Sequence, residues 1–406
     1  MRPSGPPASA APPRGAPRNR AAALVATLAL LAASITLSLF LAEAVVRLLA
    51  PQALILIRPD IWMPAEGVGW KNRPNVDTHL NTGERDVHWR TDAQGFRTGA
   101  ALQGHADVNI LALGDSFLAA EQVEDEDTMV RLLESRLASR SGRRVRIWNS
   151  GVAGWDPNQY RIELRRVLDT SRPDGVLVFV YLGNDIIAKV TAAFPSRQPD
   201  ERHRFRWPRG LGLREWVNAL GYPINDYLEV RSHLFIFART RLKYLLMRLS
   251  MTPYTFPDTL LSRNVADPEW ATTAGILKDI GDAATTRGIP ILFVLIPSQS
   301  EADPAEARRT AAGLGVPPNS YDLDQPHVRL GQEMALRGLT VFDATEALRT
   351  ATARATPDVY GSVDNHLGKA GHRAMAEAME MPAWETFFEG KPARAAPPED
   401  RVTAAH

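Results

Sequence analysis

The sequence predicts an α/β protein with a mostly parallel sheet and helices on both faces, and three observations predict it. Apolar runs of strand length recur from Asp107 onward: Val108–Leu113, Val145–Trp148, Gly175–Leu182, Ile289–Ile296 and Leu339–Phe342. Between them stand helical patterns with start signals at Asp156-Pro157, Asp267-Pro268 and Asp303-Pro304. Each pairs an acidic N-cap with a proline at the first helical position, where the missing N–H is not needed. Strands alternating with helices imply crossover connections, hence parallel pairing with both faces covered.

In chain order, residues 1–20 are rich in Pro, Ala and Gly, carry Arg2, Arg14, Arg18 and Arg20 and no acid, and read as a disordered tail. Ala21 to Ala42 then runs 22 residues without a charge and holds seven leucines. As a helix it would be about 33 Å long against a hydrocarbon core of roughly 30 Å, so a transmembrane helix is expected. The arginines ahead of it place residues 1–20 in the cytoplasm and the remainder outside. A cleaved signal ending at Ala42-Glu43-Ala44 is the alternative, but a signal's apolar core is usually only about 7–15 residues.

Residues 43–100 read as a lead-in. Val76–Leu80 and Asp86–Arg90 alternate around Asn81-Thr82-Gly83 and suggest a hairpin in which His79 and His88 face each other. A metal pair is one reading of those histidines; solvent-side strand residues are the other. The catalytic region is expected over 101–385. Its first strand breaks at Gly114, and a helical pattern resumes near Asp127. The helix after Asp156 carries Tyr160, Leu164 and Leu168. The helix after Asp267 carries Ile276, Leu277 and Ile280 and closes at Gly288.

An insertion over 186–263 interrupts the alternation. It contains Arg202-His203-Arg204-Phe205-Arg206-Trp207-Pro208-Arg209 and a helical pattern from Ile224 to Leu249. It reads either as a loop and helix packed on the domain, or as a lid, a substrate wall or a docking surface for anionic glycan or lipid headgroups. The pattern fades after Met379, and residues 386–406 read as a second disordered tail.

Composition narrows the chemistry. The chain of 406 residues is 45% apolar with a formal net charge of +1, which gives no footprint for nucleic acid. Zero cysteines exclude disulfides, thiolate catalysis and zinc-thiolate sites. No phosphate-binding Gly-Lys-Ser/Thr loop and no His-Glu-x-x-His pair is present, and no cofactor or metal is expected.

The residues that can carry chemistry stand at the ends of successive strands. Gly114-Asp115-Ser116 follows the first strand, and Asn149-Ser150-Gly151-Val152-Ala153-Gly154-Trp155 the second. Gly183-Asn184-Asp185 follows the third, and Val363-Asp364-Asn365-His366-Leu367-Gly368-Lys369-Ala370-Gly371-His372 lies near the C-terminus. A serine at a sheet's C-terminal edge, donors for an oxyanion and a histidine base are what acyl transfer needs. Asp115, Asp185 and His372 read as structural, Asp185 as a helix cap.

These four stretches resemble the blocks of the SGNH (GDSL) hydrolase superfamily, a flavodoxin-like three-layer α/β/α fold of esterases, lipases, thioesterases and carbohydrate acetylesterases. The resemblance covers about Asp107 to Met379. It implies Ser116 as nucleophile and His366 as base. The backbone N–H groups of Ser116 and Gly154 and the side chain of Asn184 would form the oxyanion hole. The apolar N-terminal span and Gly95-Phe96-Arg97 resemble membrane-anchored bacterial members. One departure stands out: the usual Asp-x-x-His becomes Asp-x-His, because Val363 occupies the third position before His366 and the nearest acid is Asp364. A Ser116-His366-Asp364 triad and a Ser-His dyad both fit. The expected function is a serine ester hydrolase of the bacterial envelope acting on an ester or an acylated glycan or lipid. A polysaccharide O-acyltransferase using the same residues and a non-catalytic envelope binding protein are the alternatives.

Overall fold

A computed structural model describes residues 20–52, 61–81, 85–99, 106–186, 227–228, 231–248, 258–261, 267–354, 356–361 and 365–389. The chain divides into two compact units, Met1–Ala50 and Pro51–His406.

Among the described residues, the first unit holds one helix, α1 (Arg20–Leu49). Its span Ala22–Leu49 has a mean hydropathy of 2.3 and no buried share, long and apolar enough to cross a membrane. It extends beyond the expected 21–42. Glu43 and Arg47, four apart on one face, pair at 3.1 Å instead of ending the helix.

In the second unit two antiparallel hairpins come first: β1 (Trp62–Ala65) with β2 (Gly69–Asn72), and β3 (Asp77–Asn81) with β4 (Asp86–Arg90). His79 pairs with His88 across the second hairpin as expected, their rings stacked at 5.1 Å. Each serves a neighbouring carboxylate: His88 Nε2 lies 2.6 Å from Asp77 Oδ1, and His79 Nδ1 lies 3.4 Å from Asp86 Oδ1. The lead-in is integral to this unit. Ile61, Leu80, Val87 and Trp89 form a buried cluster with Ala119.

The sheet has five parallel strands: β5 (Val108–Leu113), β6 (Val145–Asn149), β7 (Gly175–Tyr181), β8 (Ile291–Ile296) and β9 (Val341–Asp343). They run in the order β6-β5-β7-β8-β9, which is 2-1-3-4-5 counted from the first strand, the flavodoxin-like order. Side chains alternate between two cores. Ile110, Ala112, Leu177, Phe179, Leu292 and Val294 face one side, where α3 (Met129–Ser141), α10 (Thr345–Ala353) and α11 (Lys369–Phe387) cover them. Leu111, Leu113, Val176, Val178, Phe293 and Leu295 face the other, under α4 (Pro157–Thr170), α6 (Asp267–Thr285) and α9 (Gln325–Leu336). Both faces are dry, which is why each strand is a continuous apolar run.

Differences from the sequence expectation have local causes. Helix α3 begins at Met129, because Asp125–Asp127 form a 3₁₀ turn and the Thr128 hydroxyl accepts the Arg131 N–H. A one-turn helix, α2 (Ser116–Ala119), precedes it and was not expected. Strand β8 begins after Ile289, whose N–H closes on Ala284 O, and after Pro290, which has none to give. Helix α11 passes the expected boundary at 385 because Phe387 is buried beneath the sheet. Of the insertion, α5 (His233–Arg248) is described, with Leu260 and Leu261 packing on α8 (Pro304–Leu314), which follows the one-turn α7 (Gln299–Ala302). The basic-aromatic stretch 202–209 and the tail 390–406 lie outside the described residues.

Candidate active site

Ser116 is the first residue of α2, immediately beyond β5. A helix's first residue has no preceding turn to accept its N–H, so the Ser116 backbone is left with donor capacity at the sheet's C-terminal edge. Asp115 caps this turn: its Oδ1 accepts the Phe117 N–H at 2.9 Å. Gly114 is needed because a Cβ there would stand 2.8 Å from Leu118 Cβ and 3.2 Å from Phe179 Cβ.

Two hundred and fifty residues further on, His366 Nε2 lies 2.7 Å from Ser116 Oγ. Its position is set by backbone pairing. Tyr360 bridges Leu367 in antiparallel fashion, and Gly361 N–H donates to His366 O at 2.9 Å. The imidazole leans on the Phe117 ring at 4.8 Å, and Phe117 stacks on Tyr181 at 3.8 Å. Tyr360 O–H donates to Pro297 O at 3.0 Å and ties the segment to the end of β8. At its base Asp358 adopts a left-handed φ of +68°. Its carboxylate accepts the Lys369 N–H at 3.0 Å and the guanidinium of Arg85. Asp364 lies outside the described residues.

The loop after β6 is pressed against α2. Val152 N–H donates to Gly114 O at 3.2 Å, and Gly151 comes so near the Ala119 nitrogen that no side chain fits there. Gly154 follows with φ +76°, a conformation that side chains disfavour. Asn149, fully buried, clamps the arrangement: its Nδ2 donates to Leu118 O at 2.9 Å and its Oδ1 accepts the Gly151 N–H at 3.0 Å. The first hairpin grips the same loop from outside. Asn72 Nδ2 donates to Gly151 O and Trp70 Nε1 to Ala153 O, both at 3.0 Å, while Trp155 Nε1 donates to Trp70 O at 2.8 Å.

The third group is Asn184, in the turn after β7. Its Nδ2 donates one N–H to Asp115 Oδ2 at 3.3 Å, and the amide's second N–H is outside that bond. Asp185 closes the turn from beneath, its Oδ2 accepting the Tyr181 N–H at 2.9 Å and the Tyr160 O–H at 3.1 Å; a helix for it to cap would fall outside the described residues. Burial pushes the Asp185 carboxyl well above the carboxylate range, and the charge of Asp115 adds to the shift. Burial raises Asp115 as well, against the Phe117 N–H, His366 and Asn184, which favour its charged form.

Beneath α2 lies the guanidinium of Arg97, only 1% exposed. It donates to Ala119 O at 2.6 Å and to the carbonyls of Ala120 and Val123, and sits 4.7 Å from the Trp89 ring centroid. Ala120 has a left-handed φ of +56°, and the Arg97 contacts hold that conformation at the helix's end. Burial lowers the Arg97 pKa to about 10, so it remains a cation at neutral pH.

Ser116, the Gly154 loop, Asn184 and His366 therefore gather at one sheet edge. His372, read as structural, is buried against α3 with its Nδ1 accepting the Met129 N–H at 3.2 Å. Among the described residues no group of three or more His, Asp or Glu is placed to hold a metal ion. A cavity of about 830 Å³, lined by Lys278, Pro290, Arg337, Thr340 and Glu385 among others, opens at the opposite edge of the sheet. Sequence reasoning missed Arg97, Asn149 and Tyr160 as supports. Gly95-Phe96-Arg97 and the asparagine opening the second block were visible, but their contacts span distant parts of the chain.

No protein-family model and no curated protein matches the sequence. Among solved structures, the chain is similar to a lipase/acylhydrolase from Enterococcus faecalis at 13% identity, covering 68% of this chain and 94% of that one with a TM-score of 0.37. It is also similar to a member of the lipolytic G-D-S-L family from Veillonella parvula (12% identity, 67% and 96% covered, TM-score 0.34). A third is an acetylxylan esterase from Geobacillus stearothermophilus (12% identity, 73% and 100% covered, TM-score 0.36). Likenesses at these identities and TM-scores do not bear on chemistry. By its own strand order and its two helical layers, the second unit of this chain is a flavodoxin-like three-layer α/β/α domain.

Proposed function

We propose that the chain is a serine ester hydrolase of the SGNH type, anchored in the bacterial cytoplasmic membrane with its α/β/α domain on the periplasmic side. The observation that carries the reading is the 2.7 Å approach of His366 Nε2 to Ser116 Oγ, beside an amide donor and a glycine loop. In the first step His366 Nε2 takes the hydroxyl proton as Ser116 Oγ bonds to the ester carbonyl carbon. The negative charge passes to the carbonyl oxygen, where the N–H groups of Ser116 and Gly154 and the second N–H of Asn184 stabilise it. Collapse breaks the bond to the alcohol, which leaves with the proton from His366. Water repeats the sequence on the acyl-enzyme and releases the acid. Asp364, two residues before the histidine, is proposed to orient the imidazole.

The anchor reading rests on the apolar α1 and on the four arginines within the first twenty residues. Labelling of the purified full chain by a fluorophosphonate, with turnover of short acyl esters, tests the catalytic reading. The wild type is expected to label and turn over, and Ser116→Ala and His366→Ala to do neither. Wild-type protein that is folded yet unlabelled would overturn it. Product analysis with and without a glycan acceptor then distinguishes hydrolysis from acyl transfer, which uses the same serine.

A further inference from the structure

Among the described residues, helix α5 of the insertion makes no contact with the site, and its sequence holds Arg239, Arg241, Lys243 and Arg248 and no acid. Ile236 is buried against the domain, but Leu242 and Leu245, one turn apart, are 55% and 52% exposed. Arg239 stands one turn before Leu242, and Arg241 one turn before Leu245, so cations and exposed leucines share a side. The guanidinium carbons of Arg239 and Arg241 lie 5.7 and 5.1 Å from the ring centroids of Phe235 and Phe237. A short helix with exposed leucines among cations and no acids has the make-up of a membrane-interface helix.

Its first residue is also tied to the chain next to α1. Gln52, three residues beyond Leu49, donates its backbone N–H to His233 Nδ1 at 2.8 Å.

We infer that α5 is a second membrane contact: a docking helix that lies on anionic phospholipid headgroups, with Leu242 and Leu245 entering the acyl boundary. The inference rests on the anchor reading above and is independent of the chemistry at Ser116. Anionic headgroups attract basic residues held near the membrane surface, and several cations on one helix act together.

The chain has no cysteine, so Leu245→Cys gives a single attachment point for an environment-sensitive fluorophore in the full-length protein. Leu336→Cys, at an 80% exposed position on α9, is the control. In vesicles containing phosphatidylglycerol, the label at 245 is expected to shift to the blue and be quenched by doxyl lipids, while that at 336 does neither. Phosphatidylcholine vesicles, or the pair Arg239→Glu and Arg241→Glu, should weaken both signals. Protein that floats with vesicles but shows no shift at 245 would overturn the docking helix and leave the anchor standing. An equal shift without anionic lipid, or one produced by a soluble anionic polysaccharide in detergent, would overturn it too. Protein that does not float would sink the anchor and the docking helix together.

Discussion

Asp115 and Asn184, 69 residues apart, are joined by a hydrogen bond of 3.3 Å from the asparagine Nδ2 to the aspartate Oδ2. The same carboxylate caps the helix that presents Ser116, so one side chain sets both the serine turn and the direction of the amide. Asp115→Asn would set an amide against the Asn184 amide and remove the acceptor that fixes its orientation. Loss of an oxyanion donor costs roughly 10²–10³ in kcat, and Asn184→Ala should fall in that range. Asp115→Asn should cost less, with KM little changed. If Asp115 acts through Asn184, the double variant Asp115→Asn/Asn184→Ala will be no slower than Asn184→Ala alone, and a steady-state cycle reads this directly. Additive losses would assign Asp115 some other role.

Arg97 serves the other end of the same helix. Arg97→Met keeps much of the volume over Trp89 but leaves the buried carbonyls of Ala119 and Val123 without their donor, while Ala120 O keeps the Val123 N–H at 3.3 Å. Each orphaned buried acceptor costs about 1–3 kcal/mol, so a loss of at least about 2 kcal/mol is expected in urea unfolding. Because the carbonyls belong to α2 and the turn after it, kcat should fall even where the variant is fully folded. Arg97→Lys should recover part of the stability, since an ammonium reaches one or two of these oxygens without the planar fork. Wild-type kcat in Arg97→Met would show that the guanidinium holds the fold and not the serine.

What was legible in the sequence divides along the same line. Apolar runs announced the strands because both faces of the sheet are buried, and Asp-Pro pairs announced helix starts because a cap is a local hydrogen bond. Ser116 and His366 were readable from their blocks, and the structure brings them into contact. The supports were not readable. Asn72 holding Gly151, Asn149 holding Leu118 and Arg97 beneath α2 are contacts between distant segments, with no periodicity or spacing to mark them. For the same reason residues 61–99 read as a lead-in. Their polar and aromatic side chains have no evident partner until the loop after β6 is folded beside them.

The role of Asp364 separates a triad from a dyad. If it orients the His366 imidazole, Asp364→Asn should lower kcat toward the roughly 10⁴-fold loss seen when the orienting acid of a serine triad becomes an amide. Fluorophosphonate labelling should slow in parallel while thermal stability holds. An unchanged kcat would leave Ser116 and His366 as a dyad.

The buried His372 makes stability depend on pH in a way that can be isolated. Burial, reinforced by the positive charge of Arg97, pushes its pKa down to about 3, against about 6.5 in an unfolded chain. Between those values the unfolded chain binds a proton that the native protein does not, so stability falls as pH falls, by up to about 1.4 kcal/mol per unit. Asp115, Glu134, Asp185 and Glu301 work in the opposite direction. Burial raises their pKa values, so the native state takes protons before the unfolded chain does and gains stability on acidification. The wild-type curve sums both effects, but the difference from a His372→Gln variant contains only the histidine. Gln offers an oxygen to the Met129 N–H that His372 Nδ1 now accepts. It should be the less stable protein near neutral pH, where the imidazole is neutral and well packed, and the gap should close as the pH drops from about 7 to about 4. Denaturant unfolding of both proteins across that range measures it. A gap independent of pH would mean that His372 takes up its proton at the same pH in the native and the unfolded protein, and burial would then not hold the imidazole neutral.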